Sequence, residues 1–122
     1  MRKDITILYV DDEPLNLQLF ELNLGKNYNV VTTNSGTLGL NLLKTNPKVK
    51  IVISDMKMPL MNGVEFIRTA KKEFPDIPYF IVTGFEITEE IADALNEKII
   101  NRYFRKPFNM RDIESAIEEF LN

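Results

Sequence analysis

The chain contains no cysteine, which excludes disulfides, thiolate metal sites and thiol catalysis. It also contains no histidine. The usual general base, the commonest zinc ligand and any phosphohistidine chemistry on this chain are thereby removed. Basic residues do not predominate: 15 Lys and Arg stand against 18 Asp and Glu, a formal charge of −3. That balance argues against direct nucleic-acid binding, which needs a basic stripe. No apolar run approaches the roughly 20 residues of a membrane span, and no signal-peptide pattern opens the chain. The expected class is a cytoplasmic soluble protein without a membrane segment. What remains for chemistry is carboxylate, hydroxyl and lysine.

At 122 residues the chain fits one domain spanning 1–122. A chain of that length buries roughly two thirds of its unfolded surface, enough for a core without covalent staples. Short β-rich runs alternate with amphipathic stretches. The expected strands are Ile5–Val10, Asn29–Thr33, Ile51–Ser54, Tyr79–Thr83 and Ile99–Phe104. The first, third and fourth are almost continuously apolar, as strands covered on both faces are.

Pro14 starts the first expected helix, where its missing N–H costs nothing. Leu15, Leu19 and Leu22 recur on one face as its inner stripe, and Gly25 stops it. Ser35 caps the second, with Leu38 and Leu42 on the inner side. Asn62-Gly63 opens the third, where Val64, Ile67 and Ala70 recur at helical spacing. Thr88 caps the fourth and Asn109 the fifth, whose buried stripe is Ile113, Ala116, Ile117 and Phe120. Strands alternating with helices in a small domain give α/β architecture, a doubly wound parallel sheet. Of the few right-handed topologies, order 2-1-3-4-5 places strands one and three side by side, with the ligand crevice at their C-terminal ends.

That order gives the acids a common site. Asp11-Asp12-Glu13 follows the first strand and Asp55 ends the third. Carboxylates so close repel, and they must protonate or bind a cation. A hard divalent metal with oxygen ligands is the natural resolution. Each residue also has an ordinary explanation. Asp11 or Asp12 can cap a helix, Asp55 can form a turn, Thr83 can end a strand, Lys106 can be solvated and Tyr103 can be a core aromatic. The functional case is coincidence: an acid pair, a lone acid, a hydroxyl and a lysine fall at the C-terminal ends of strands one, three, four and five.

Four segments, Leu8-Tyr9-Val10-Asp11-Asp12-Glu13-Pro14, Ser54-Asp55-Met56-Lys57-Met58-Pro59-Leu60-Met61-Asn62-Gly63, Val82-Thr83-Gly84 and Arg105-Lys106-Pro107-Phe108, match one family together in order and spacing. They strongly resemble the receiver domains of two-component response regulators, and the resemblance runs through essentially the whole chain. It implies a flavodoxin-like fold of five strands and five helices. It implies that Asp55 accepts a phosphoryl group from a sensor histidine kinase, a phosphotransfer protein or a small donor such as acetyl phosphate. Asp12, Asp55 and the Lys57 backbone carbonyl would hold Mg2+ (or Mn2+), with Asp11 acting through water. Lys106 would pair with Asp55 and then with the phosphate. Thr83 would donate to another phosphate oxygen, and Tyr103 would rotate inward as the readout. The resemblance also implies a cis Lys106-Pro107 bond and an output surface on helix 4, strand 5 and helix 5, facing an effector domain or partner. Such a protein catalyses only its own phosphorylation and dephosphorylation and is not an enzyme with an external product.

The sequence departs from the family in places. Ile99-Ile100 stand where many receivers carry Gly-Ala, and Lys57 and Phe85 are bulkier than the residues often found there. Both side chains would flank the path of hydrolytic water and lengthen the phosphorylated state. Three other readings compete. A flavodoxin-like nucleotide binder would cradle phosphate on amides after the first strand, where Asp11-Asp12-Glu13 would repel it. A haloacid-dehalogenase-type phosphatase needs Asp-x-Asp there, but Glu13 holds the second place. The third is a receiver-like interaction module that is never phosphorylated.

Overall fold

A computed structural model describes residues 2–84 and 87–121. The chain runs β1 (Arg2–Val10), α1 (Pro14–Leu24), β2 (Tyr28–Thr33), α2 (Gly36–Thr45), β3 (Val49–Asp55), α3 (Gly63–Glu73), β4 (Tyr79–Thr83), α4 (Glu89–Asn96), β5 (Arg102–Arg105) and α5 (Met110–Leu121). The strands form one parallel sheet in the order β2-β1-β3-β4-β5, as expected from sequence.

Strand periodicity divides the core into two layers. Ile7, Tyr9, Ile51, Ile53, Phe80 and Val82 face α1 and α5, where they meet Phe20, Leu24, Ile113 and Ile117. Leu8, Val10, Val52, Tyr79 and Ile81 face the other side, against Leu43, Val64, Phe66, Ile67, Ile91 and Ala94 of α2, α3 and α4. Each fully buried Val, Leu, Ile or Phe contributes about 1.5–3 kcal/mol. The sheet is therefore held from both sides, and its C-terminal edge is a firm platform.

Side chains close the helix starts. Ser35 Oγ accepts from Leu38 N, and Thr88 Oγ1 accepts from Ile91 N. Asn62 and Glu65 form a reciprocal capping box at the start of α3. Asn109 Oδ1 accepts from Arg111 N ahead of α5.

Three expectations need correction. Leu15, Leu19 and Leu22 are exposed, at 65%, 49% and 67%, rather than inward. The helix α1 carries apolar residues on more than one face. Phe20 decides which face packs, because its ring stacks on Tyr9 with centroids 3.7 Å apart, and Leu17 and Leu24 follow it inward. In α2, Leu38 is exposed, while Gly36, Gly39 and Leu43 are buried. A β-carbon on Gly39 would meet the Phe66 ring at 3.0 Å, so α3 supplies the bulk and α2 the space. Finally, β5 begins at Arg102, not Ile99. Lys98 takes a left-handed step (φ 61°), Ile100 drops into the core beside Ala94, and Asn101 accepts from Tyr79 N through Oδ1 at 2.9 Å. These residues shape the approach to the strand.

Candidate functional site

Parallel pairing places the ends of β1, β3, β4 and β5 along one edge. Val10 registers with Ser54, Asp55 with Val82, and Thr83 with Arg105. Asp12, Asp55, Gly84 and Lys106, at or just past those ends, line a common cleft of about 530 Å³ together with Glu13, Lys57, Met58 and Pro59.

Asp11 is fully buried, Asp55 nearly so, and Asp12 half-buried. One oxygen from each of the three carboxylates lies within 4.8 Å of the others. Asp11 is fixed at both oxygens. The Tyr9 hydroxyl donates to Oδ2 at 2.5 Å, and the Glu13 backbone N–H donates to Oδ1 at 3.0 Å. Burial, and then the Asp11 carboxylate, push the Tyr9 phenol far above its ordinary range, so it remains a donor.

Lys106 Nζ lies 3.5 Å from Asp55 Oδ1. The Lys106-Pro107 peptide is cis, as the resemblance implied. Burial raises the Asp55 carboxyl to about 6, Asp11 and, more weakly, Asp12 add to the rise, and Lys106 opposes it. Hard carboxylate oxygens converging on an open cleft are a donor set suited to a hard divalent cation, which would offset their repulsion.

Thr83 is buried at the end of β4, and its carbonyl accepts from Lys106 N at 2.7 Å. Lys57 is exposed and lines the cleft. Tyr103 lies on the edge strand β5, 37% exposed, outside the cleft lining. Phe85 lies outside the described residues.

Two further residues shape the site. Tyr9 reads in the sequence as part of an apolar run, yet residues two apart on a strand share a face, so a phenol two before Asp11 can reach it. Gly63 reads in the sequence only as a helix opener. A β-carbon there would stand 2.4 Å from the Asp55 carbonyl oxygen, a clash that no local pattern reveals.

The family profile described as response regulator receiver domain matches residues 7–118. The hydrogenase transcriptional regulatory protein HoxA of Cupriavidus necator is 31% identical over 106 residues, covering 87% of this chain and 22% of HoxA. The chemotaxis protein CheY homolog of Campylobacter jejuni is 30% identical over 119 residues, covering 94% of this chain and 91% of that protein. The crystal structure of a signal receiver domain of an HD domain-containing protein from Pseudomonas fluorescens superposes with a TM-score of 0.89 at 29% identity, covering 99% of this chain and 95% of that one. The chain spans about a quarter of the length of the transcriptional regulators it matches. Among the described residues, no helix is long and apolar enough to cross a membrane.

Proposed function

Because the chain belongs to the response regulator receiver family of two-component systems, we propose that it is a phosphorylation-dependent signalling switch whose phosphoryl acceptor is Asp55. One observation carries the reading. Three carboxylates converge within 4.8 Å at the sheet edge, and Lys106 stands 3.5 Å from one of them.

An Asp55 oxygen attacks phosphorus, and the bond from phosphorus to the donor breaks. With a phosphohistidine donor the bonding pair returns to the imidazole nitrogen; with acetyl phosphate it leaves on acetate. The product is an acyl phosphate on Asp55. Asp12, Asp55 and the Lys57 carbonyl would hold Mg2+ or Mn2+, with Asp11 acting through water. Bound there, the cation supplies charge neutralisation for the transferring group. Asp55 must be ionised to attack, and its raised carboxyl makes this harder in the metal-free protein. Lys106 opposes that rise and then offers its ammonium to the transferred oxygens as a point charge. Thr83 donates its hydroxyl to another phosphate oxygen.

The partner that delivers phosphate is a sensor histidine kinase or a histidine phosphotransfer protein. The absence of histidine here fits the accepting side. Output passes through the face of α4, β5 and α5 to an effector domain or protein partner. The protein turns over no external substrate.

The test is intact mass after treatment with acetyl phosphate and Mg2+. One phosphoryl group should appear per chain, require the divalent ion, and be lost in Asp55→Asn. Labelling of Asp55→Asn at the wild-type rate would refute the acceptor. No labelling by any donor would favour an interaction module that is never phosphorylated.

A further inference from the structure

We propose that Tyr9 is a positioning residue that holds Asp11 away from direct coordination and so makes the carboxylate cluster prefer Mg2+ over Ca2+. The inference rests on the metal-dependent reading above and deepens it. Tyr9 is fully buried in β1. Its ring stacks on Phe20 with centroids 3.7 Å apart and planes at 11°, and Phe20 meets Phe108 at 5.7 Å. Packing therefore fixes where the hydroxyl points. It points at Asp11 Oδ2, 2.5 Å away, while the Glu13 N–H occupies Oδ1 at 3.0 Å.

A carboxylate whose two oxygens each accept a hydrogen bond keeps lone pairs for a metal, but it is held in one orientation, and turning toward an ion costs part of a charge-assisted hydrogen bond. Asp55 is held less firmly, by Lys106 at 3.5 Å. The arrangement leaves Asp12 and Asp55 as the direct carboxylates and keeps Asp11 behind water. Mg2+ suits such a set, because it retains several waters and takes one or two carboxylates. Ca2+ accepts more oxygen ligands at longer range and flexible geometry, so a third free carboxylate benefits it more. Tyr9 thus tunes the site by subtraction. Phenylalanine would preserve the stack on Phe20 and remove only the donor.

The experiment measures dissociation constants for Mg2+ and Ca2+ by calorimetry on the whole chain and on Tyr9→Phe. The preference for Mg2+ should fall roughly ten-fold, about 1.4 kcal/mol. The change should disappear when Tyr9→Phe is introduced into Asp11→Asn, since the hydroxyl then has no carboxylate to restrain. An unchanged preference, or equal weakening toward both ions, overturns the inference, because a merely structural role would produce one of these. A wild-type chain that binds no Mg2+ would instead overturn the metal reading itself. A second measurement needs no variant. The Tyr9 hydroxyl proton, sheltered in the core, should give a slowly exchanging NMR resonance that persists at saturating Mg2+. Its loss on Mg2+ addition would show Asp11 leaving Tyr9 for the metal and overturn the proposal.

Discussion

Gly63 lies so close beneath Asp55 that a β-carbon would stand 2.4 Å from the Asp55 carbonyl oxygen and 2.7 Å from Ile81 Cδ1. No glycine among the described residues has a positive φ, so the requirement at Gly63 is room. Its N–H donates to the Met56 carbonyl at 2.9 Å, which ties the start of α3 to the turn after Asp55. Gly63→Ala must push that turn aside. Overpacking of this kind costs about 1–3 kcal/mol. Thermal melting should show a drop of several degrees, and phosphorylation by acetyl phosphate should slow because Asp55 moves. A variant with wild-type melting and rate would show that the turn yields freely.

Asp55 should make the metal-free protein less stable as pH rises. Its carboxyl stands at about 6 in the fold against an ordinary 3.8, chiefly through burial. Between those values the folded state binds more protons than the unfolded chain, so stability falls as pH increases through the window. Below it both states are protonated and the cost vanishes; above it the cost is full, about 1–3 kcal/mol. Asp55→Asn should therefore exceed wild type in urea stability at pH 7 without divalent ions, and the gap should close toward pH 4. Mg2+ should narrow the gap at pH 7 by stabilising wild type alone. A gap independent of pH would mean that the Asp55 charge is not its source.

Much of this was legible in the chain, for physical reasons. Buried parallel strands read as continuous apolar runs, so Leu8-Tyr9-Val10 and Ile51-Val52-Ile53 announced themselves, and the acids after them fell at the edge by topology. Caps at Ser35, Asn62 and Thr88 depend on a few neighbouring residues and were equally readable. The inward face of α1 was not, because leucines at 15, 19 and 22 satisfy helical spacing as well as Leu17, Phe20 and Leu24 do. Only the partner ring of Tyr9 breaks that tie. The start of β5 is not legible because Ile99 and Ile100 have strand propensity, while the left-handed Lys98 and the packing of Ile100 under α4 are tertiary outcomes. Gly63 belongs to the same class, since its role is defined by an atom eight residues away.

Lys106→Ala should separate metal binding from group transfer. The ammonium lies 3.5 Å from Asp55 Oδ1, with the side chain about one-third exposed at the cleft rim. Removing it leaves every carboxylate in place and deletes a like charge from beside an incoming cation. Mg2+ affinity should be kept or rise. The transferring phosphoryl group loses a positive partner, and a loss of about 1.4–3 kcal/mol of transition-state stabilisation would slow acetyl phosphate uptake roughly 10- to 150-fold. Lys106→Arg should recover part of the rate through charge alone. Equal loss of Mg2+ binding and rate would assign Lys106 to holding the site together.

Tyr103 should respond to what Thr83 binds. In parallel register Tyr103 pairs with Ile81, and Ile81 and Thr83 lie two apart on the same sheet face. Tyr103 therefore stands on the edge strand one diagonal step from Thr83, with Thr83 buried and Tyr103 37% exposed. If a phosphate oxygen draws the Thr83 hydroxyl toward Asp55, space opens on that face beside Tyr103. A phenol carries an apolar ring and a polar tip, so inward and outward positions differ little in energy. One hydrogen bond to a charged group, about 1.5–3 kcal/mol, is enough to move such a balance ten-fold or more. Beryllofluoride with Mg2+ should shift fluorine-labelled Tyr103 toward a single, less solvent-accessible environment. Thr83→Ala should bind the analogue yet leave the Tyr103 signal closer to its resting position. Tyr103 resonances that stay fixed while those around Asp55 move would place the output elsewhere on the α4 and β5 surface.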